Sequence, residues 1–241
     1  MIILVTGANR GLGYELVKLG LGHGHTMIAA SREGADTKAL DALLAEYGGE
    51  RLVKAAMDVS SEPSVMAAAQ AMEARFEAID CVVNNAGVLL ESKYNLEDPI
   101  VNLDIDMLRR TLDVNTVGPA IVLKHFMPFV YRSQAPCVIN ITSEAGHLKT
   151  GLYTYLAYGV SKHGANMYTQ KIRNYLAMTP EHANVRIFMV HPGRMNTVMG
   201  AENKQIEPDE SARGIMDIIE GRVDPKLDVP FISYRGDPMR Y

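Results

Sequence analysis

The sequence predicts an α/β fold: one domain over 1–241, built on a doubly wound parallel sheet of about seven strands with helices on both faces. Three observations carry that reading. Short apolar, β-branched runs alternate end to end with helix-length segments, the order that a parallel sheet with crossover helices requires. No Pro/Gly/Ser-rich spacer, repeat or low-complexity tract breaks the series over 241 residues, a length that one large core can serve. The first strand also runs straight into three glycines, Gly7, Gly11 and Gly13, ahead of a helix.

Each element has a local reason. Ile2–Thr6 is an apolar strand, and a helix follows its glycine turn to about Gly22. His25–Ser31 is the second strand, followed by a helix from about Asp36 to Tyr47 that Gly48-Gly49 ends. Arg51–Met57 is the third strand, and Pro63–Phe76 an Ala/Met-rich helix whose proline sits where a missing N–H does no harm. Asp80–Asn84 is the fourth strand. An irregular stretch from Val88 to about Leu103 then leads to a long helix from Asp104 or Ile105 toward His125. Val138–Thr142 is the fifth strand, and a helix runs from Tyr158 to about Leu176. Val185–His191 is the sixth strand, closed by Pro192-Gly193, before a helix over Asp209–Gly221 and a last strand over Pro230–Tyr234. The tail after Tyr234 reads as solvent-facing or docked at an edge.

The glycine turn is Gly7-Ala8-Asn9-Arg10-Gly11-Leu12-Gly13. Glycines there allow a tight bend, close backbone approach to a phosphate and a helix N-terminus aimed at negative charge. Dinucleotide sites that select NAD place an acid near the end of the second strand for the ribose hydroxyl, whereas NADP sites place an arginine there. This chain reads Ala29-Ala30-Ser31-Arg32, with no acid before Glu33, and Arg10 lies inside the glycine turn. The expected cofactor is therefore NADP(H); the alternative leaves both arginines on the surface and gives the ribose to Glu33.

Tyr158 and Lys162 are four apart, on one face of a helix. A nearby ammonium favours the phenolate and lowers the phenol's pKa, toward the range useful for general acid–base catalysis. Tyr14 and Lys18 have the same spacing, but no strand and hydroxyl precede them, and they read as helix-surface residues. Tyr158 has such a partner upstream in Ser143, just past a buried strand, where open α/β sheets bind ligands.

Composition excludes several classes. A net charge of −4 with dispersed Lys and Arg gives no basic surface for nucleic acid. Cys81 and Cys137 each lie in an apolar run and read as small buried hydrophobes. No Cys/His cluster has zinc spacing, and His23 and His25 bracket a glycine in a turn, so no metal site is expected. No apolar stretch approaches a membrane span of ~20 residues, and no targeting segment precedes Ile2, so a cytoplasmic protein is expected.

Together these pieces resemble the short-chain dehydrogenase/reductase family across essentially the full chain. The resemblance rests on the glycine turn, Asp58-Val59, Asn84-Asn85-Ala86-Gly87, Asn115, the Ser143–Tyr158–Lys162 series, Pro192-Gly193 and Thr197. The Asn9-Arg10 and Ser31-Arg32 segments are similar to the NADPH-preferring carbonyl reductase and C-factor-type branch. The resemblance implies a Rossmann-type fold and hydride transfer between NADP(H) and a carbonyl or secondary alcohol. It implies that Tyr158 donates the proton, that Lys162 lowers the pKa of Tyr158 and holds the nicotinamide ribose, that Ser143 binds the carbonyl and that Asn115 helps to carry a relay water. Asp58 and Val59 would flank the adenine, while Asn85, Ala86 and Gly87 line the cofactor's middle and Thr197 touches the carboxamide. Asn85 could instead cap a turn, and Thr197 could only start a helix.

Substrate walls are expected from Val88–Leu90, Gly146–Tyr155 and a loop over about 194–208, with Leu89, Leu90, Leu148, Leu152, Tyr153, Tyr155, Met195 and Met199 giving an apolar lining. His147, Lys149 and Arg194 could meet a polar group or stay solvated. The alternative function is an NADPH-binding sensor or C-factor-type signalling protein with little turnover. A homodimer is expected from family habit, through the long helix from Asp104 and the helix from Tyr158.

Overall fold

A computed structural model of the chain describes residues 1–91, 98–148, 154–197, 199 and 205–240. Seven parallel strands form one sheet in the order β3-β2-β1-β4-β5-β6-β7: β1 Ile2–Thr6, β2 Thr26–Ser31, β3 Leu52–Ala56, β4 Cys81–Asn84, β5 Cys137–Ile141, β6 Arg186–His191 and β7 Phe231–Ser233. The helices are α1 Gly11–Gly22, α2 Lys38–Tyr47, α3 Glu62–Glu73, α4 Ile105–Leu112, α5 Gly118–Tyr131, α6 Leu156–Met178 and α7 Pro208–Ile219.

Two apolar cores cover the two faces. Along β1, Ile3 and Val5 join α1 and α7 side chains such as Leu16, Val17, Ile215 and Ile219. Leu4 between them faces Val65, Val122 and Phe126 from α3 and α5. Because strands of such a sheet are buried on both sides, they read as continuous apolar runs rather than alternating ones. The chain builds outward from β1 through β2 and β3, then restarts at β4 on the other side. That reversal opens a crevice at the carboxyl ends of β1 and β4, the place where doubly wound sheets bind ligands.

Two differences from the expected elements have physical causes, and the tail takes the edge placement that the sequence allows. The long helix continues past His125 to Tyr131 and is interrupted by a π turn over Asp113–Val117. Pro119 has no N–H to offer the carbonyl of Asn115, and the pairing locally widens so that Gly118 N–H reaches Asp113 O. α6 begins at Leu156, two residues before Tyr158, because a carboxylate from elsewhere in the chain caps it. The tail folds back on β7, with Met239 N–H donating to Phe231 O at 2.8 Å. Lys149, Leu152, Tyr153 and part of the 194–208 loop lie outside the described residues. Among the described residues no helix is long and apolar enough to cross a membrane.

A buried polar chain seats α6 on the sheet. Asn84 Nδ2 donates to Asn140 Oδ1 at 2.8 Å, and Asn140 Nδ2 donates to Thr169 Oγ1 at 2.8 Å. Cys81 and Cys137, adjacent in register on β4 and β5, are free and fully buried.

Gly13 sits beneath the first turn rather than on the crevice. A Cβ there would lie 2.4 Å from Gly7 O and 2.6 Å from Asn85 Nδ2. Gly13→Ala is expected to destabilise the fold by about 1–3 kcal/mol through overpacking, against a helix-propensity gain of about 1 kcal/mol. Thermal unfolding followed by circular dichroism checks this, as a fall in Tm.

Candidate active site

The crevice is a cleft of about 2290 Å³, larger than the ~300–1,000 Å³ typical of a single small-molecule pocket. One end is the glycine turn. Gly7 (φ +63°) and Gly11 (φ +53°) have left-handed backbone, and a Cβ on Gly7 would come within 2.9 Å of Ala86 Cα. Arg10, at the N-cap of α1, makes no side-chain cap bond, so the first-turn N–H groups carry no such partner. Asn9 Nδ2 donates to Asp36 O at 3.3 Å, tying the turn to the segment after β2.

Arg10 and Arg32 line the same end, both exposed. Asp58, past β3, accepts from Ser60 N–H at 3.0 Å and Ser60 O–H at 2.6 Å. Those bonds, with a smaller contribution from the nearby Arg32 charge, hold its carboxyl below the usual range against the opposing effect of burial. Val59 lies beside it in the cleft wall. An uncapped helix N-terminus, cradling glycines and two guanidiniums together fit a phosphorylated dinucleotide.

Asn85 spends its amide on the turn itself: Nδ2 donates to Thr6 O at 2.8 Å and Gly7 O at 3.2 Å. Thr6 Oγ1 in return accepts the N–H groups of Asn85 and Ala86, each at 3.0 Å. The side chain of Asn85 therefore holds two strand ends together, the capping alternative raised by the sequence, although the residue still borders the cleft.

At the other end, Ser143 follows β5, and its hydroxyl lies close enough to the Tyr158 phenol to lower that phenol's pKa. Ser143 Oγ also accepts Ala145 N–H at 3.1 Å. Lys162 Nζ donates to Ile141 O at 2.9 Å and lies 5.7 Å from the Tyr158 ring centroid. Burial drives the Lys162 ammonium from 10.5 down to about 8, a loss of charge solvation of about 3 kcal/mol. Burial likewise pushes the Tyr158 phenol up; the nearby Ser143 hydroxyl pulls against it, and the Glu144 carboxylate adds to the rise. The expected lowering of the phenol by its lysine neighbour is thus outweighed, because desolvation penalises both charged forms. The phenol is held in its protonated form.

Asn115 does not face the cleft. Its Oδ1 accepts Val88 N–H at 2.8 Å, and its Nδ2 donates to Val88 O at 2.9 Å and Ser161 Oγ at 3.0 Å. The side chain braces the segment after β4 against α6. Gly87 keeps the adjoining space open: a Cβ there would lie 3.2 Å from Asn115 Oδ1 and 3.6 Å from Lys162 Nζ.

Ser31, Leu12, Ala86, Pro192 and Thr197 border the cleft as expected. Gly193 has φ +82°, and the two ends of the loop beyond it are zipped by Gln205 N–H to Arg194 O at 2.8 Å. Arg194 is engaged rather than open to an anion, its Nε donating to Glu144 Oε1 at 2.6 Å. Of the two spaced pairs, Lys18 of the decoy makes only a surface contact with Glu15 at 3.9 Å.

Four contributors had no sequence signal that singled them out. Glu144 and His191 line the catalytic end, and the returning tail adds Pro238 to Arg240. The fourth is Glu91, whose carboxylate accepts Ala157 and Tyr158 N–H, both at 2.8 Å.

Away from the cleft, His23 Nδ1 and His25 Nε2 meet Glu220 Oε1 at 2.9 and 2.7 Å. These histidines, read as turn residues, in fact share one carboxylate across α1, β2 and α7. Arg222 engages the other oxygen of the same carboxylate.

Comparisons with known proteins agree with this geometry. The family model described as short chain dehydrogenase matches residues 1–208. An uncharacterised oxidoreductase of Schizosaccharomyces pombe is 31% identical over 204 residues, which cover 84% of this chain and 63% of that protein. The carbonyl reductase Sniffer of D. melanogaster superimposes with a TM-score of 0.86 at 23% identity, covering 99% of this chain and 98% of the other. An NADPH-bound carbonyl reductase from chicken fatty liver gives a TM-score of 0.84 at 24% identity, covering 99% and 98%.

The depressed Lys162 pKa has a measurable consequence. Above about pH 8 the folded lysine releases its proton while the unfolded one keeps it to about 10.5, so stability should rise with pH in that window. Urea denaturation is expected to show the wild type gaining on Lys162→Met by up to about 1.4 kcal/mol per pH unit between pH 8 and 10.

Proposed function

The chain belongs to the short-chain dehydrogenase family, and from that premise we propose that it reduces ketones or aldehydes with NADPH. The observation that carries the reading is the Ser143 hydroxyl beside the Tyr158 phenol, with Lys162 next to them in the cleft that the glycine turn opens. A nicotinamide cofactor bound there supplies the hydride. Ser143 holds the carbonyl oxygen and stabilises its developing charge, and Tyr158 delivers the proton to that oxygen. Lys162, anchored on Ile141 O, offsets the charge left on the phenol. Thr197 and the Ala86-Gly87 segment complete the wall against which the nicotinamide end rests.

NADPH over NADH rests on Arg10 and Arg32, which flank the same end of the cleft and make no side-chain hydrogen bond among the described residues, and on Ser31 where an acid would be needed for NAD. The NADPH-bound carbonyl reductase among the structural neighbours supports this choice. Leu89, Leu148 and Met199 border the mouth and suit a carbonyl with an apolar body. The chain works as one dinucleotide-binding unit and pairs as a homodimer through α4 and α6, which expose Ile105, Val160 and Met167.

A carbonyl panel followed by NADPH absorbance tests the activity; tight NADPH binding with no turnover on any carbonyl would instead indicate a sensor. Tyr158→Phe is expected to keep NADPH affinity within a few-fold while kcat falls about 10²–10⁴-fold. For the cofactor, kcat/KM should favour NADPH, and Arg10→Ala or Arg32→Ala should each lose roughly one to two decades of that preference. Equal use of NADH by the wild type would overturn the assignment.

A further inference from the structure

Helix α6 carries both Tyr158 and Lys162, yet its own sequence cannot hold its first turn. The N-cap residue, Tyr155, is in the left-handed region (φ +59°) and supplies no side-chain cap. The first N–H groups of a helix have no partner within it, and here the second residue, Ala157, is fully buried. Water cannot satisfy its N–H. The partner comes from 66 residues upstream: Glu91 Oε1 accepts Ala157 N–H and Glu91 Oε2 accepts Tyr158 N–H, each at 2.8 Å. Glu91 is itself only 4% exposed. A carboxylate removed from water this far is costly unless its oxygens are bonded and a positive field compensates it; two helix N–H groups and the positive end of the helix dipole supply both.

We propose that Glu91 is a positioning residue for the reaction: its carboxylate fixes the backbone of Tyr158, and so the direction in which the phenol is presented to Ser143. The inference rests on the reading of Tyr158 as proton donor. Its force comes from what else meets at that residue. Ser161 Oγ donates to Tyr158 O at 2.7 Å, so both polar backbone groups of Tyr158 are held, the N–H by Glu91 and the carbonyl by Ser161. Ser161 is in turn held by Asn115. The segments after β4 therefore grip the tyrosine from both sides, Val88 through Asn115 and Ser161, and Glu91 directly.

Three variants separate this role from simple helix capping. Glu91→Gln keeps one acceptor and turns an amide N–H toward the other backbone donor. Glu91→Asp keeps the charge but is one methylene shorter. Glu91→Ala removes both. Normalised to sites that bind NADPH, Glu91→Gln is expected to lose about tenfold or more in kcat, with the Kd for NADPH within about twofold. The alkaline limb of the reduction profile, where the phenol loses its proton, should move to higher pH in Glu91→Gln as the phenol loses the Ser143 contact that lowers its pKa, and less in Glu91→Asp, which should also recover part of the lost kcat. Amide exchange at Ala157 and Tyr158 should quicken in Glu91→Gln and Glu91→Ala. A purely stabilising cap would lower Tm while leaving kcat per bound NADPH and the pH limb unchanged, and that outcome overturns the proposal. If Glu91→Gln does not fold, the same readouts on Glu91→Asp decide. If the wild type reduces no carbonyl, the functional reading fails separately, and unchanged amide exchange and an unchanged NMR titration of the Tyr158 phenol in Glu91→Gln would still overturn the positioning role.

Discussion

A phenol and an ammonium held out of water on one helix face set the terms for the rest of this molecule. Burial acts against the charged form of each, leaving the phenol protonated and the lysine's pKa near 8. Neither state is stable without company, since an unbonded buried ammonium is costly. The lysine's company is Ile141 O, the last carbonyl of β5, and beside the phenol lies the hydroxyl two residues farther along, on Ser143. One strand end thus serves both groups, and the distance between Ser143 and Ile141 along the chain is matched by the one-turn separation of Tyr158 and Lys162 on α6. The fit requires α6 to lie close against the turn after β5. Gly146 permits that approach, because a Cβ there would lie 2.9 Å from the Lys162 backbone carbon.

The same logic, polar groups of one strand end satisfied by the next segment, builds the cofactor end. Thr6 and Asn85 exchange bonds across β1 and β4, the two central strands where the winding direction reverses. A crevice at that reversal would otherwise expose unpaired backbone from both strand ends. Pairing them internally leaves the N-terminus of α1 as the principal donor set facing the cleft, and the exposed arginines at that end add positive charge.

Much of this was legible in the sequence, and the reasons differ by residue. Strands were readable because a sheet buried on both faces writes itself as apolar runs, and the glycine turn because left-handed backbone at Gly7 and Gly11 excludes other side chains. Ser143, Tyr158 and Lys162 were readable because helix periodicity and strand-end position are local properties. What local pattern could not give was partnership at long range. Asn115 was legible as a special residue in a long helix, but its amide turned out to be committed to Val88 and Ser161, which only the packed structure decides. The π turn around it follows from Pro119, a signal present in the sequence but easily read as a tolerated proline near a helix start. The pKa direction of Tyr158 was misjudged because a neighbouring charge is visible as spacing, whereas burial is not. Glu91 carried no signal whatever, since its partners are backbone N–H groups.

The mouth of the cleft extends this long-range assembly to charged side chains. Arg194 alone would read as a receptor for an anionic substrate, but Glu144 holds it across the gap between β5 and β6. Paired in this way, the two charges present little net field to an incoming ligand, while the carboxylate stays near enough to help keep the phenol protonated. An anionic substrate would have to part this pair and would free the Glu144 charge beside the reacting oxygen, where it opposes the negative charge that develops there. A neutral carbonyl incurs neither cost. The electrostatics of the mouth therefore disfavour an anionic ligand through the same carboxylate that helps to keep the Tyr158 phenol protonated.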